Sequence, residues 1–265
     1  MIAKSYREPT LHLLDLPAAL TYRSGVATMT TRSGPRPPAP RPRVTSVSTL
    51  YRSTIGKKIV MAVTGLLMLG FVVVHMAGNL KIFFGQEEFD AYAHWLRTIG
   101  EPIVHETWFL WIQRAVLTFA LVAHIWAAAS LSRQDLKARP IGYQARRRGG
   151  YATSTMRWGG VILLLFIIYH VLDLTMGVAN PADAGADPYD RVVADFNVWY
   201  ITLAYVVAMG ALCLHIAHGL WSAANTLGVN KATTTAYRTV AVVVAAAITL
   251  GFLLVPFGVV FGVLE

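Results

Sequence analysis

Eight histidines stand in this chain, and five of them, His75, His124, His170, His215 and His218, sit inside long apolar runs. Ionisable side chains are costly at such positions and mark functional sites by default. A neutral imidazole offers one ring nitrogen to a metal while its other N–H seeks an acceptor. Two facing imidazoles suit the axial positions of a low-spin haem, whose macrocycle needs an apolar slot between helices. The chemistry on offer is therefore electron transfer. Each histidine taken singly has a plainer reading, a structural hydrogen bond between helices. His12, His94 and His105 lie outside the apolar runs and read as solvated or interfacial.

The elements that must position these imidazoles follow from composition. The chain has 265 residues, 55% hydrophobic and 14% charged, whereas soluble domains carry about 25% charged residues. Five windows are long enough to cross a hydrocarbon core of about 30 Å, which takes roughly 20 apolar residues. They run over 58–80, 108–131, 158–178, 198–222 and 238–262. Continuous runs of this kind exclude alternating barrel strands, and backbone groups in lipid must bond within the segment. The expected fold is an all-α bundle of five transmembrane helices over residues 49–265. Residues 1–48, including "TRSGPRPPAPRPR", are rich in Pro, Arg, Ser and Thr, lack an apolar period and read as a disordered basic tail. Met29 is an alternative start of translation. Cys213, the one cysteine, lies in the fourth span and reads as a core residue, with no thiolate cluster.

Charge orients the bundle. Between Ser132 and Arg157 stand Arg133, Lys137, Arg139, Arg146, Arg147, Arg148 and Arg157 against Asp135, and Arg52, Lys57 and Lys58 precede the first span. These sides face the cytoplasm by the positive-inside rule. The other connections are acidic, with Glu87, Glu88, Asp90, Glu101 and Glu106 after the first span and Asp183, Asp187, Asp190 and Asp195 after the third. They face outward with the C-terminus, and the N-terminus is cytoplasmic. The net charge of +9 is then a topological signal rather than a nucleic-acid footprint.

Depth sorts the histidines into pairs. Spans one and three run outward and place His75 and His170 in the outer half. Spans two and four run inward and place His124 and His215 each roughly 10 Å before the cytoplasmic end. Two depths speak against a four-histidine zinc or non-haem iron site. One cysteine leaves no Rieske-type cluster held by this chain alone. Arg114, near the outer pair's level, is the candidate cation for a haem propionate, with snorkelling to the interface as its alternative.

The motifs "TGLLMLGFVVVHMAGNLKIFFG", "AHIWAA", "YHVLD" and "HIAHGLWSAANTLG" place these histidines 49, 46 and 45 residues apart. From about Tyr51 to Phe261 the chain resembles the single-chain, five-helix dihaem cytochrome b anchor of succinate:quinone oxidoreductases and fumarate reductases, respiratory complex II. The resemblance implies His75 with His170 as axial ligands of an outer b-type haem, and His124 with His215 for an inner one, in agreement with depth. It implies that a flavoprotein with FAD takes electrons from succinate in the tricarboxylic acid cycle. An iron-sulfur subunit, docked on the cytoplasmic face of a prokaryotic plasma membrane, would pass them through the haems to a quinone, menaquinone in particular. No flavin-binding or ferredoxin motif occurs in the chain, so no succinate site is expected here.

A quinone site needs an apolar slot, donors and a proton path. His218, Trp221 and Ser222 offer donors near the cytoplasmic edge. Near the outer face, Asp173, one turn from His170, and Glu87 or Glu88 could exchange protons with solvent. Trp221 as an interfacial belt residue, Ser222 as a helix-end hydrogen bonder and Asp173 as a solvated or propionate-edge carboxylate are the plainer readings. Two other functions compete. One is a dihaem cytochrome b subunit of a formate dehydrogenase or hydrogenase. The other is a small transporter or proton channel with titrating histidines, which predicts internal repeats or broken helices.

Overall fold

The computed structural model describes residues 53–137, 150–183, 185–228 and 234–265. The chain divides between Val44 and Thr45 into two units, and the described residues all belong to the second. The basic tail and Arg139, Arg146, Arg147 and Arg148 fall outside the described residues.

Among the described residues seven α-helices follow in order: α1 (Thr54–Asn79), α2 (Gln86–Thr98), α3 (Trp108–Lys137), α4 (Gly150–His170), α5 (Pro188–Phe196), α6 (Trp199–Thr226) and α7 (Thr234–Val260). Among the described residues five segments are long and apolar enough to cross a membrane: Thr54–Phe84, Trp108–Lys137, Met156–Thr175, Trp199–Thr226 and Thr235–Val260. The described residues are all-helical, and the chain is a multi-pass membrane protein.

The edges of the spans move where side chains and turn geometry decide them. Helix α1 begins at Thr54 because the Ser53 side chain accepts the N–H of Gly56 at 2.9 Å. It continues through a 3-10 turn, Leu80–Phe84, and stops at Gly85, whose φ of 103° glycine adopts without a Cβ clash. The third span closes at Thr175 rather than 178. The turn Val171–Thr175 is π-helical, the N–H of Met176 reaching back to the carbonyl of Val171, and Gly177 at φ 71° ends it. Helix α6 runs past residue 222 to Thr226 and ends at Gly228, φ 87°. Pro256 lies inside the continuous helix α7.

Packing uses small residues, as helices without a hydrophobic drive between them require. Ala120, Ala127, Ala208, Ala241 and Ala245 are each at most 2% exposed. Gly251 on α7 faces the Met76 side chain so closely that no Cβ fits between them. Ile216, Ala245 and Ile248 form one buried cluster, against which Leu69, Met76 and Cys213 pack. A second cluster closes the acidic end of the bundle, where Ile82, Phe89, Tyr189, Phe196, Tyr205 and Val259 come together from five segments. At the basic end the Lys57 ammonium lies 5.7 Å over the Trp126 ring, and Arg157 lies 3.8 Å from Asp135. Large apolar side chains such as Phe119 and Val243 face outward, the expected surface for lipid.

Ser53→Ala removes the acceptor of the Gly56 N–H and should cost about 1 kcal/mol at the start of α1. Faster amide exchange is expected at Gly56 and its neighbours in the first turn, with protection unchanged from the second turn onward.

Candidate functional site

His75 projects from α1 and His170 from the last residue of α4, with ring centres 5.8 Å apart and planes at 80°. Phe71 stacks on His75 at 5.2 Å, Phe252 lies 5.8 Å from the same ring, and Phe166 stacks on His170 at 5.7 Å. Nδ1 of His170 lies 3.2 Å from the Tyr205 hydroxyl, which itself donates to Asp173 Oδ2 at 3.0 Å. With its one proton on the carboxylate side, that hydroxyl accepts from Nδ1–H of His170. The lone pair of Nε2 is left for another partner.

His124 on α3 and His215 on α6 form the second pair, ring centres 6.2 Å apart. Nδ1 of His124 lies 3.1 Å from the carbonyl of Met61 and 3.2 Å from the Thr64 hydroxyl. A carbonyl only accepts, and Thr64 donates its own proton to Val60 O at 2.7 Å. His124 therefore carries its proton on Nδ1 and keeps Nε2 free. Nδ1 of His215 is buried without a hydrogen-bond partner among the described residues. Gly65 makes room here, since a Cβ at that position would lie 3.2 Å from Cε1 of His124.

The two pairs lie at separate depths. Gly65, beside His124, and His75 are ten residues apart on α1, and Tyr205, beside His170, and His215 are ten apart on α6. Each interval is about 15 Å at 1.5 Å per residue. Two imidazoles holding one metal at about 2 Å on each side have ring centres roughly 6 Å apart, which both pairs satisfy. Among the described residues no three His, Cys, Asp or Glu side chains converge as a metal cage. Two nitrogens per centre are what an iron already held by a macrocycle needs. The donor set, burial and spacing fit a haem at each pair.

Behind His170 lies a polar network that the sequence did not reveal. Asp173 is fully buried, which corrects the expectation that it exchanges protons directly with solvent: the π-helical turn and the loop after it enclose the carboxyl. Asn180 Nδ2 donates to Asp173 Oδ1 and to Asp195 Oδ1, both at 3.0 Å. Asp195 is equally buried, and its Oδ2 has no hydrogen-bond partner among the described residues. The nearby Arg191 directs Nε to the carbonyl of Ala186 at 3.0 Å. Burial, then the neighbouring Asp173, pushes the Asp195 carboxyl up to about 8, because two adjacent carboxylates in a dry site do not both ionise. Asn180 and Asp195 escaped the sequence reading because an Asp or Asn in a connection looks solvated, and Tyr205 because a tyrosine in an apolar span reads as packing. The one signal was Asp195 set within the apolar "RVVADFNVWY".

The remaining candidates occupy other places. His218 and Trp221 meet at 5.8 Å near the basic end, and Trp221 Nε1 is buried without a partner among the described residues. Ser222 is half-buried, its carbonyl accepting from the Thr226 hydroxyl at 3.0 Å. Arg114 is exposed, its guanidinium 5.0 Å over Trp111. Glu87, Glu88, His94 and His105 are exposed.

Fold and site together define a membrane protein with two half-buried imidazole pairs stacked along a five-span bundle. Residues 137–254 match the family described as succinate dehydrogenase/fumarate reductase transmembrane subunit. The match covers less than half of the chain and supports that family. It includes His170 and His215, one member of each pair. No curated protein and no solved structure gave a match.

Two outcomes follow from this geometry. The Asp195 carboxyl holds its proton more tightly in the folded chain than the ordinary value of 3.8 allows. Its contribution to stability is therefore full below about pH 4 and falls as pH rises through about 8. Thermal unfolding across that window should show the decline, and Asp195→Asn should flatten it. Gly65→Val should force His124 aside at a cost of about 1–3 kcal/mol. A haem held by His124 and His215 would be lost from optical spectra, and one held by His75 and His170 would be retained.

Proposed function

We propose that the chain is the membrane-anchor cytochrome b subunit of a succinate dehydrogenase, respiratory complex II. It would relay electrons from an iron-sulfur subunit to a quinone. The observation that carries this reading is the stacking of two imidazole pairs about 15 Å apart in a bundle whose later helices match the succinate dehydrogenase/fumarate reductase family. That match favours complex II over a formate dehydrogenase or hydrogenase partner. Haem, when bound, supplies reversible one-electron transfer.

The chain's own residues would hold and insulate that chemistry. His75 and His170 would hold one haem at the acidic end, and His124 and His215 a second at the basic end. Tyr205 and the Met61 carbonyl fix the orientation of His170 and His124 by taking their Nδ1–H groups. Phe71, Phe166 and Phe252 keep water from the first pair. By the positive-inside rule the basic end faces the cytoplasm and receives the iron-sulfur subunit, which in turn carries the FAD-bearing flavoprotein. His218, with Trp221 and Ser222 beside it, faces that docking edge and is not an iron ligand. The acidic end, with Asp173, faces outward.

An electron passed between the two levels moves along the membrane normal. The membrane potential exchanges about 2.3 kcal/mol per charge per 100 mV across the full span. That coupling suits oxidation of succinate by a low-potential quinone such as menaquinone in a prokaryotic plasma membrane.

The purified chain reduced with dithionite should give the sharp visible bands of two low-spin haems. His215→Ala should abolish one of them and His170→Ala the other, while His218→Ala leaves both. Absence of the bands from the native chain would end the redox reading. Loss of a haem in His218→Ala with retention in His215→Ala would reverse the ligand choice.

A further inference from the structure

Between Trp108 and Ser132 helix α3 carries a single arginine, Arg114, and no Lys, Asp or Glu. Arg114 lies six residues in from Trp108, about 9 Å along the axis, and it is exposed. Trp108, Trp111, Ile112 and Phe119 on the same helix also face outward. The apolar length of α3 assigns that surface to lipid. A guanidinium carries five N–H donors and a charge it does not lose, so in this position an acceptor must come to it.

The fold supplies none. Among the described residues Arg114 has no hydrogen-bond acceptor and no carboxylate partner, and its contact is the Trp111 ring, 5.0 Å away. Trp111 precedes it by three residues, so the side chain folds back one turn toward the acidic end, as long cationic side chains do when they reach for an interface. The indole face holds the guanidinium in place and leaves its N–H fork open. From the lipid side, the group that presents oxygens at this level is a phosphodiester, and the fork takes two of them. The surrounding charge is balanced. Arg97 ends α2 beside the start of α3, its carbonyl accepting the Thr107 N–H at 2.7 Å, and Glu101 and Glu106 stand exposed in the connection between the two helices.

We propose that Arg114 and Trp111 seat one phosphatidylethanolamine in the leaflet at the acidic end, the guanidinium forked onto its phosphate and its acyl chains running inward past Ala115, Phe119 and Val122. Those three residues are exposed along the same helix. The headgroup follows from the charge around the seat. Arg97 and Arg114 offset Glu101 and Glu106, so a headgroup of net negative charge gains little attraction there. An ammonium whose phosphate is held by Arg114 has the exposed carboxylates of the connection on its water side. A free phosphate ion offers the same oxygens but no chains for the apolar surface that surrounds the guanidinium.

The test uses the full chain in nanodiscs of equal parts phosphatidylethanolamine and phosphatidylglycerol, released for native mass spectrometry. Phosphatidylethanolamine should be retained on the native chain in preference to phosphatidylglycerol. Arg114→Gln should cut that retention at least about tenfold, because a charge-assisted bidentate bond is lost. Arg114→Lys keeps the charge without the fork and should retain an intermediate share. Lys81→Gln removes a cation stacked on Tyr92 at the same end and should leave retention unchanged. Circular dichroism checks that each variant is folded; if Arg114→Gln is not, Trp111→Leu takes its place, with retention expected to fall a few-fold. A phosphatidylethanolamine carrying a photoactivatable diazirine should crosslink to the segment Trp108–Val122 in the native chain and not in Arg114→Gln. Undiminished retention in Arg114→Gln, or crosslinks confined to other helices, overturns the seat. Equal retention of phosphatidylglycerol overturns the choice of lipid. Release of the bound lipid by inorganic phosphate makes this a site for a soluble anion and overturns the proposal.

Discussion

An imidazole buried among apolar helices has one N–H to place and one lone pair left over, and the arrangement of this protein follows from where the N–H goes. His170 gives it to Tyr205 and His124 to the carbonyl of Met61. Each bond fixes the proton on Nδ1 and orients the ring, so Nε2 keeps its lone pair free. The helices must then approach closely enough for the two rings to face each other. Gly65 beside His124 and the buried alanines between helices supply that closeness.

The two pairs share a plan but differ in surroundings. The pair at the basic end uses backbone and hydroxyl partners, groups that carry no net charge. The pair at the acidic end is tied through Tyr205 to two carboxyls that share one amide donor. A charge change on one side of that network is felt electrostatically on the other, because little water lies between to screen it. The π-helical turn after His170 encloses Asp173, and widened turns of this type recur at functional sites.

Much of this plan was legible in the sequence. Apolar length gave the five spans, and a fixed rise per residue made the depth of each histidine countable, so His75 could be matched with His170 and His124 with His215 before any contact was known. Three things were not legible. The span edges depended on cap and turn geometry, as at Ser53, the turn Val171–Thr175 and Gly228. The acid network depended on a connection folding back, so Asp173 and Asp195, 22 residues apart in sequence, met through Asn180, and neither looked buried. The exposure of Arg114 depended on how α3 is rotated against its neighbours, which turns the guanidinium outward over Trp111. Periodicity reports which face of a helix is apolar, and it is silent on what a loop brings back against that face.

Each imidazole pair takes one member from the first two spans and one from the later three: His75 and His124 come from α1 and α3, their partners from α4 and α6. During synthesis the pairs therefore become complete in a fixed order. The pair at the acidic end is complete when α4 has entered the membrane, and the pair at the basic end only after α6 has followed. Until α4 enters, the early hairpin carries two unmatched imidazoles, and until α6 enters it carries one, so any group bound between the halves acts as a clasp that closes the bundle last at its basic end.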